Sequence, residues 1–209
     1  MKKNFKTLLT PLLLITGCSL LSFLCTQFIH EWAFIPLALA YWSSIFLITK
    51  TNFSKVKAAL TLKTADKKWI VVAYIPCLFC IVAFVWGIRC IQFDFLLLVL
   101  SILFMTINPI AEELFWRKYL FDKLTCSTLF KIIFTTIFFS LSHPLTWGMF
   151  SVTIRSHIMI FPLLLMGVLW GLVYSRTQSV RHCIIAHSLV DILNLSIWVF
   201  LNLYIPPVV

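Results

Sequence analysis

Long apolar runs separated by short polar segments divide the chain along its whole length. A helix that crosses the hydrocarbon core of a bilayer needs about 20 mostly apolar residues. Seven runs of that order are present, at residues 8–29, 33–49, 69–88, 95–122, 129–149, 158–174 and 183–203. No run alternates with the period of two that a membrane β-strand requires. The pattern predicts an all-α, polytopic membrane helix bundle of about seven transmembrane helices.

The composition excludes a soluble enzyme. Hydrophobic residues make up 61% of the chain and charged residues 11%, and the mean hydropathy is +1.01. Soluble domains carry about 25% charged residues. The chain is also too short to add a large soluble domain to the predicted helices. We therefore expect one membrane domain over residues 1–209, with the lipid bilayer as its surroundings.

The formal net charge of +10 is informative through its distribution. Basic residues collect in the cytoplasmic loops of membrane proteins, so the excess does not indicate nucleic-acid binding. With a cytoplasmic N-terminus, seven spans leave only Arg89 and Arg155 on the outer side. The other fifteen lysines and arginines lie at or toward the cytoplasmic side: Lys2, Lys3, Lys6, Lys50, Lys55, Lys57, Lys63, Lys67, Lys68, Arg117, Lys118, Lys123, Lys131, Arg176 and Arg181. We predict a multi-pass protein of the cell membrane with an external C-terminus.

The ends of the predicted spans carry two further signals. Lysines followed by an apolar stretch ending at Gly17 and Cys18 resemble a lipoprotein signal peptide, whose cysteine is lipidated. Because apolar sequence continues to Ile29, we interpret this segment as an uncleaved helix. Indole rings are common at membrane interfaces, and five tryptophans near span ends are expected there: Trp32, Trp42, Trp69, Trp147 and Trp198.

The informative residues inside the apolar runs are the charged and ionisable ones grouped in three of the later runs, with one asparagine beside them. Each charge at bilayer depth costs about 2.5 to 3.5 kcal/mol on insertion scales, so such residues are expected to be functional. They are Asn108, Glu112, Glu113, Arg117, His143, His187 and Asp191. Glu113 and Arg117 are four residues apart on one helical face and are expected to form an ion pair. This leaves Glu112 to meet His143 and His187 in one polar cavity.

Two hydrolytic mechanisms use these side chains. A buried carboxylate facing a neutral imidazole takes a proton from water and returns it to a leaving amine, while a second imidazole and the Asp191 carboxyl bind the oxyanion. Alternatively, Glu112, His143 and His187 are ligand types of a catalytic Zn²⁺, although the His-Glu-x-x-His motif is absent. The spacing does not separate the two. A structural plug of buried ion pairs and an ion- or proton-coupled transporter use the same residue types.

These polar segments resemble the CPBP intramembrane proteases, also called the Abi family, whose eukaryotic relatives are the type 2 CAAX prenyl proteases. The family motifs Glu-Glu-x-x-x-Arg, Phe-x-x-x-His and His-x-x-x-Asn/Asp stand here at residues 112–117, 139–143 and 187–191. The resemblance covers about residues 95–203, which would form the protease core. Residues 1–94 contain spans without a comparable catalytic signal.

The resemblance implies an intramembrane endopeptidase of the CAAX or bacteriocin-processing type, acting on a membrane-associated peptide or protein. Glu112 and His143 would activate water, and Glu113 with Arg117 would support the site. His187 and Asp191 would bind the oxyanion or complete a Zn²⁺ site; we favour the metal-free glutamate mechanism. Many relatives have Asn at the last motif position, so Asp191 must be protonated, paired or a metal ligand. A catalytically silent relative that acts by binding, as in bacteriocin immunity, is the alternative.

The depth of the two glutamates constrains the fourth helix. If that helix ended at Ala111, the glutamates would lie about 20 Å from His143 along the membrane normal. We therefore predict that the helix continues to about Asp122, with a kink at Pro109.

Overall fold

The computed structural model describes residues 2–61 and 66–202, which contain helices and no strand. The predicted all-α membrane helix bundle is confirmed. The α-helices are α1 (Lys2–Ile29), α2 (Phe34–Thr49), α3 (Phe53–Leu60), α4 (Lys67–Gly87), α5 (Phe95–Glu112), α6 (Leu120–Lys123), α7 (Thr128–Leu145), α8 (Val152–Arg155), α9 (Ile160–Thr177), α10 (Arg181–Leu193) and α11 (Ser196–Asn202).

Five helical segments of the described chain are long and apolar enough to cross a membrane. They are Asn4–Thr49, Lys67–Gly87, Phe95–Lys123, Thr128–Met149 and His157–Thr177. The first of them holds two predicted runs, because a 3-10 turn at His30–Ala33 joins α1 to α2 and the two helices pack against each other. Cys18, the residue of the signal-peptide resemblance, is buried within the continuous helix α1. The number of seven passes stays a prediction.

The last predicted run is not one helix. α10 ends at Leu193, and Leu195 adopts a left-handed conformation (φ 54°) before α11 begins. A helix of 13 residues rises about 20 Å, which is less than the hydrocarbon core of about 30 Å. The expectation of a single helix over this run is therefore wrong. Residues 203–209, and with them the predicted external C-terminus, lie outside the described residues.

The polar connection between the second and third runs contains the short helix α3. Asn52 caps its N-terminus, where the side-chain oxygen accepts a hydrogen bond from the backbone N–H of Lys55 at 2.9 Å. Val56 and Ala59 pack against a buried apolar cluster that includes Leu114 and Tyr174. This contact holds α3 against the helical turn that follows α5 and against α9. Lys63 of the same connection lies outside the described residues.

The helix that carries the two glutamates is continuous from Phe95 to Lys123, as predicted from their depth. Its irregularity is a π-helical turn at Glu113–Tyr119, four residues after the expected kink at Pro109. All side chains of residues 111–117 are buried. A helix buried on every side passes through the interior of the bundle, and π-helical turns occur often at functional sites.

The contact between α7 and α9 depends on Gly167. A Cβ atom at this position would lie 2.7 Å from Thr136 Cγ2 and 3.0 Å from Thr136 Cα. We expect Gly167→Ala to lower the free energy of unfolding by about 1 to 3 kcal/mol, because the Thr136 backbone cannot move aside freely. Thermal unfolding of the detergent-solubilised protein measures the change. Gly17→Ala is the control, since nothing lies within 4 Å of the added atom on α1; an equal loss in both variants would contradict the prediction.

Basic side chains from separate segments meet at one end of the bundle, where Lys50, Lys55, Lys118 and Lys123 surround one cavity. We call this the basic end. The positive-inside rule predicts that it faces the cytoplasm. Reporter domains fused after Lys68 and after Val209 should then report opposite sides of the membrane. If both fusions report the same side, the predicted orientation and number of passes are wrong.

Candidate active site

The Glu113 carboxylate joins two of the three motif helices. Its Oε1 lies 3.0 Å from Arg117 Nη1, and it accepts a hydrogen bond from His187 Nδ1 at 2.9 Å. The predicted ion pair between Glu113 and Arg117 is confirmed, and both side chains are buried. Glu113 therefore links the π-helical turn to α10.

Aromatic rings cover the guanidinium of Arg117. Its Cζ lies 4.2 Å from the centre of the Phe139 ring and 5.2 Å from that of Trp170. Cation–π attraction of this kind is strongest where water is excluded. Phe139, the first residue of the second motif, thus stabilises the arginine of the first motif.

His187 is held in one orientation by two contacts. Its ring stacks on Trp170 with centroids 4.9 Å apart, and its Nδ1 donates to Glu113. The indole of Trp170 is itself fixed, because its N–H donates to the carbonyl of Ala73 on α4 at 2.9 Å. The remaining ring nitrogen, Nε2, therefore has a defined direction.

Two carboxylates face His187 Nε2. Glu112 Oε2 and Asp191 Oδ1 each lie 3.9 Å from it. This separation is too long for a direct hydrogen bond and suits a bridging water. Glu112 is fully buried, and neither of its oxygens has a hydrogen-bond partner among the described residues. A buried carboxylate without a partner is costly, so this group is available to bind a water or a reacting group.

His143 lies beside this cluster without contacting Glu112 directly. Its Nδ1 is 2.8 Å from the carbonyl oxygen of Phe139, which only accepts, so Nδ1 carries the hydrogen and Nε2 keeps its lone pair. The Phe139 ring lies 4.6 Å from the His143 ring and 6.1 Å from the His187 ring. In the described residues, His143 forms no ion pair with a carboxylate. Glu112 therefore faces His187 across 3.9 Å, and the Phe139 ring packs against both histidine rings.

Comparison with known proteins supports the resemblance carried by these motifs. Residues 92–193 match the family model described as Type II CAAX prenyl endopeptidase Rce1-like. The chain belongs to the CPBP/CAAX protease family through this segment. No curated protein and no solved structure matches the chain. Membership implies an integral, multi-pass membrane protease, that is, a hydrolase acting on peptide or protein substrates.

The site of this CAAX-family protein includes a hydrogen-bond chain that begins in α2. Trp42 Nε1 donates to Asn108 Oδ1 at 3.1 Å, and Asn108 Nδ2 donates to Asp191 Oδ2 at 3.4 Å. An indole N–H can only donate, so Trp42 fixes which end of the Asn108 amide faces Asp191. Asp191, the last residue of the third motif, therefore accepts a hydrogen bond from an amide N–H.

Two of the tryptophans expected at the membrane interface, Trp42 and Trp147, are instead buried within the protein. Through Trp42, the N-terminal part of the chain contacts Asn108. Tyr41, the neighbour of Trp42 in the chain, is also fully buried, close to Glu112. Asn108 was recognisable as a polar residue one turn before Glu112, whereas the sequence marked Trp42 only as a tryptophan near a span end.

The candidate zinc ligands of this CAAX-family site do not form a metal site in the structure. Across residues 2–61 and 66–202, no group of three or more His, Cys, Asp or Glu side chains is arranged to hold a metal ion. Glu112 Oε2 lies 3.9 Å from His187 Nε2, but no carboxylate of the described residues forms an ion pair with His143. The set of Glu112, His143 and His187 therefore does not fit a Zn²⁺ ion as placed here.

Proposed function

We propose that this CAAX-family protein is an active intramembrane endopeptidase with Glu112 as its general base. One observation carries the proposal: the Glu112 carboxylate is fully buried, has no hydrogen-bond partner among the described residues, and lies 3.9 Å from an imidazole nitrogen. This is the environment in which a carboxylate binds and deprotonates a water. The glutamate also lies within the segment that matches the family.

In the proposed reaction, the water oxygen attacks the scissile carbonyl carbon while Glu112 takes one of its protons. The lone pair on His143 Nε2 orients the water by accepting its other hydrogen. When the C–N bond of the tetrahedral intermediate breaks, Glu112 returns the proton to the leaving amine. General acid–base catalysis of this kind contributes about 10²- to 10⁴-fold to the rate.

His187 is the proposed donor to the oxyanion. The Glu113 bond and the Trp170 stack hold its ring, so that a protonated Nε2 presents a donor in a fixed place at no reorganisation cost. The amide of Asn108 donates a hydrogen bond to Asp191. In the proposed mechanism, the Asp191 carboxylate stabilises the protonated His187 ring and does not contact the oxyanion. This pairing accounts for an aspartate at the last motif position.

We further propose that the substrate is a membrane-associated peptide or protein, cleaved in the cell membrane by a protein whose N-terminus is cytoplasmic. The test uses the purified chain in proteoliposomes with a quenched fluorescent peptide that ends in a farnesylated CAAX sequence. We expect cleavage, identified by product mass, that a chelator does not abolish. Loss of cleavage with the chelator and its recovery with Zn²⁺ would reject the metal-free mechanism. A folded protein that cleaves no membrane-tethered peptide would favour the silent binding protein.

Trp42→Phe tests the hydrogen-bond chain from α2. We expect the cleavage rate to fall about three- to tenfold, because Asn108 is then free to turn its carbonyl toward Asp191. Trp147→Phe is a matched control, since Trp147 also packs on Phe104 but its N–H has no partner. Thermal unfolding should shift similarly in both variants. If the cleavage rate also falls equally, the hydrogen bond does not act on catalysis.

A further inference from the structure

A cavity of about 630 Å³ opens at the basic end of the bundle. The C-terminal ends of α2 and α9, the helix α3, and the last turns of the helix that ends at Lys123 form its walls. Among the described residues, its charged lining consists of one acidic residue, Asp122, and the four lysines that define the basic end. The cavity therefore has a cationic interior.

Two of these lysines are held in place by the protein. Lys55 Nζ donates to the carbonyl oxygens of Thr49 and Lys50, at 3.3 and 2.8 Å, which satisfies the end of α2. Lys118 Nζ lies 3.3 Å from Asp122, whose other oxygen accepts from the Tyr174 hydroxyl at 2.7 Å. An ammonium has three donors, so both groups keep a hydrogen for a ligand. Their positions are set before a ligand arrives.

The uncharged part of the wall is partly apolar and partly lined by hydroxyl and amide groups. The side chains of Ile48, Leu114, Ala58, Ala59 and Val180 form the apolar part. Leu114 and Val180 belong to the buried cluster beneath α3. A cavity with fixed ammonium groups on one part and alkyl groups on another matches an amphiphile with an anionic head. Lysines act as point charges for phosphate, and basic pockets between membrane helices bind anionic lipid headgroups.

We propose that this cavity binds the phosphate ester of an anionic phospholipid, with the lipid chains along the apolar wall. The lysines provide the charge and the hydrogen-bond donors for the phosphate oxygens. The site would connect α2, α3 and α9 through one ligand. It is separate from the proteolytic reaction and does not depend on it.

The experiment compares three probes on the full chain in phosphatidylcholine nanodiscs: phosphatidylglycerol, additional phosphatidylcholine, and inorganic phosphate. Retention is measured by native mass spectrometry and stabilisation by thermal unfolding. We expect phosphatidylglycerol to be retained and to raise the Tm, and Lys50→Gln/Lys123→Gln to weaken its binding about tenfold. Glutamine suits position 50, because Gln178 adopts the same left-handed conformation, with φ 53° at both residues.

The control removes the same charge from residues of the same predicted membrane side that do not line the cavity. Lys57 lies on α3 and Lys67 begins α4, and neither is in the lining. Lys57→Gln/Lys67→Gln should change binding less than twofold. An equal loss in both double variants, or equal retention of phosphatidylcholine, would overturn the proposal. Binding of inorganic phosphate with the same lysine dependence would uphold the phosphate site and assign it to a free phosphate ester.

Discussion

Glu112→Gln is expected to reduce peptide cleavage by about 10²- to 10⁴-fold and to leave the fold intact. Glutamine has the same shape but cannot take a proton from water. The Glu112 carboxylate makes no hydrogen bond that the amide would lose. The measurement is kcat on the farnesylated fluorescent peptide, with thermal unfolding in parallel.

Two other glutamates serve as controls for this result. Glu113→Gln removes the charge that pairs with Arg117, so it should lower both stability and activity. Glu31 lies in the turn between α1 and α2, so Glu31→Gln should change neither stability nor activity. Full activity of Glu112→Gln would exclude it as the general base. Equal losses of stability in the Glu112 and Glu113 variants would show that Glu112 is a structural residue instead.

Arg117→Leu is expected to lower the free energy of unfolding by about 3 to 5 kcal/mol. The substitution leaves the Glu113 carboxylate buried without its cation and removes the guanidinium from the rings of Phe139 and Trp170. Arg117→Lys should recover part of the loss, because an ammonium restores the charge but not the flat guanidinium. Unfolding in mixed micelles, followed by tryptophan fluorescence, measures both variants.

A double-mutant cycle separates the buried charge from the packing. Glu113→Gln/Arg117→Leu should cost less than the sum of the two single variants, because the neutral glutamine no longer needs a cation. The neighbouring Lys118→Leu is the control. Its ion pair with Asp122 is about half exposed, with side-chain exposures of 48% and 45%, and such pairs contribute about 0 to 1 kcal/mol. Additive losses in the cycle, or an equal loss in Lys118→Leu, would contradict the prediction.

Local spacing explains why part of the site was predictable. Residues four apart share a helical face wherever the helix runs, so the ion pair of Glu113 with Arg117 could be read from the chain. A shared site required the carboxylates to reach the depth of His143, and this placed the helix end near Asp122. Apolar run lengths and the excess of lysines likewise determined a membrane helix bundle.

Contacts between distant parts of the chain were decided by the tertiary structure. The bond from Trp42 to Asn108 spans 66 residues of sequence, and helical periodicity holds no information about which neighbour a helix face meets. The same applies to Glu112, which packs toward His187 rather than His143. The break at Leu195 also followed from packing, since an apolar run alone does not show where a buried helix turns. Apolar run lengths and helical spacing were enough to place most of the helices and to identify the chemistry they carry. Helix packing decided which groups meet, because that depends on the shapes of all the contacting faces together.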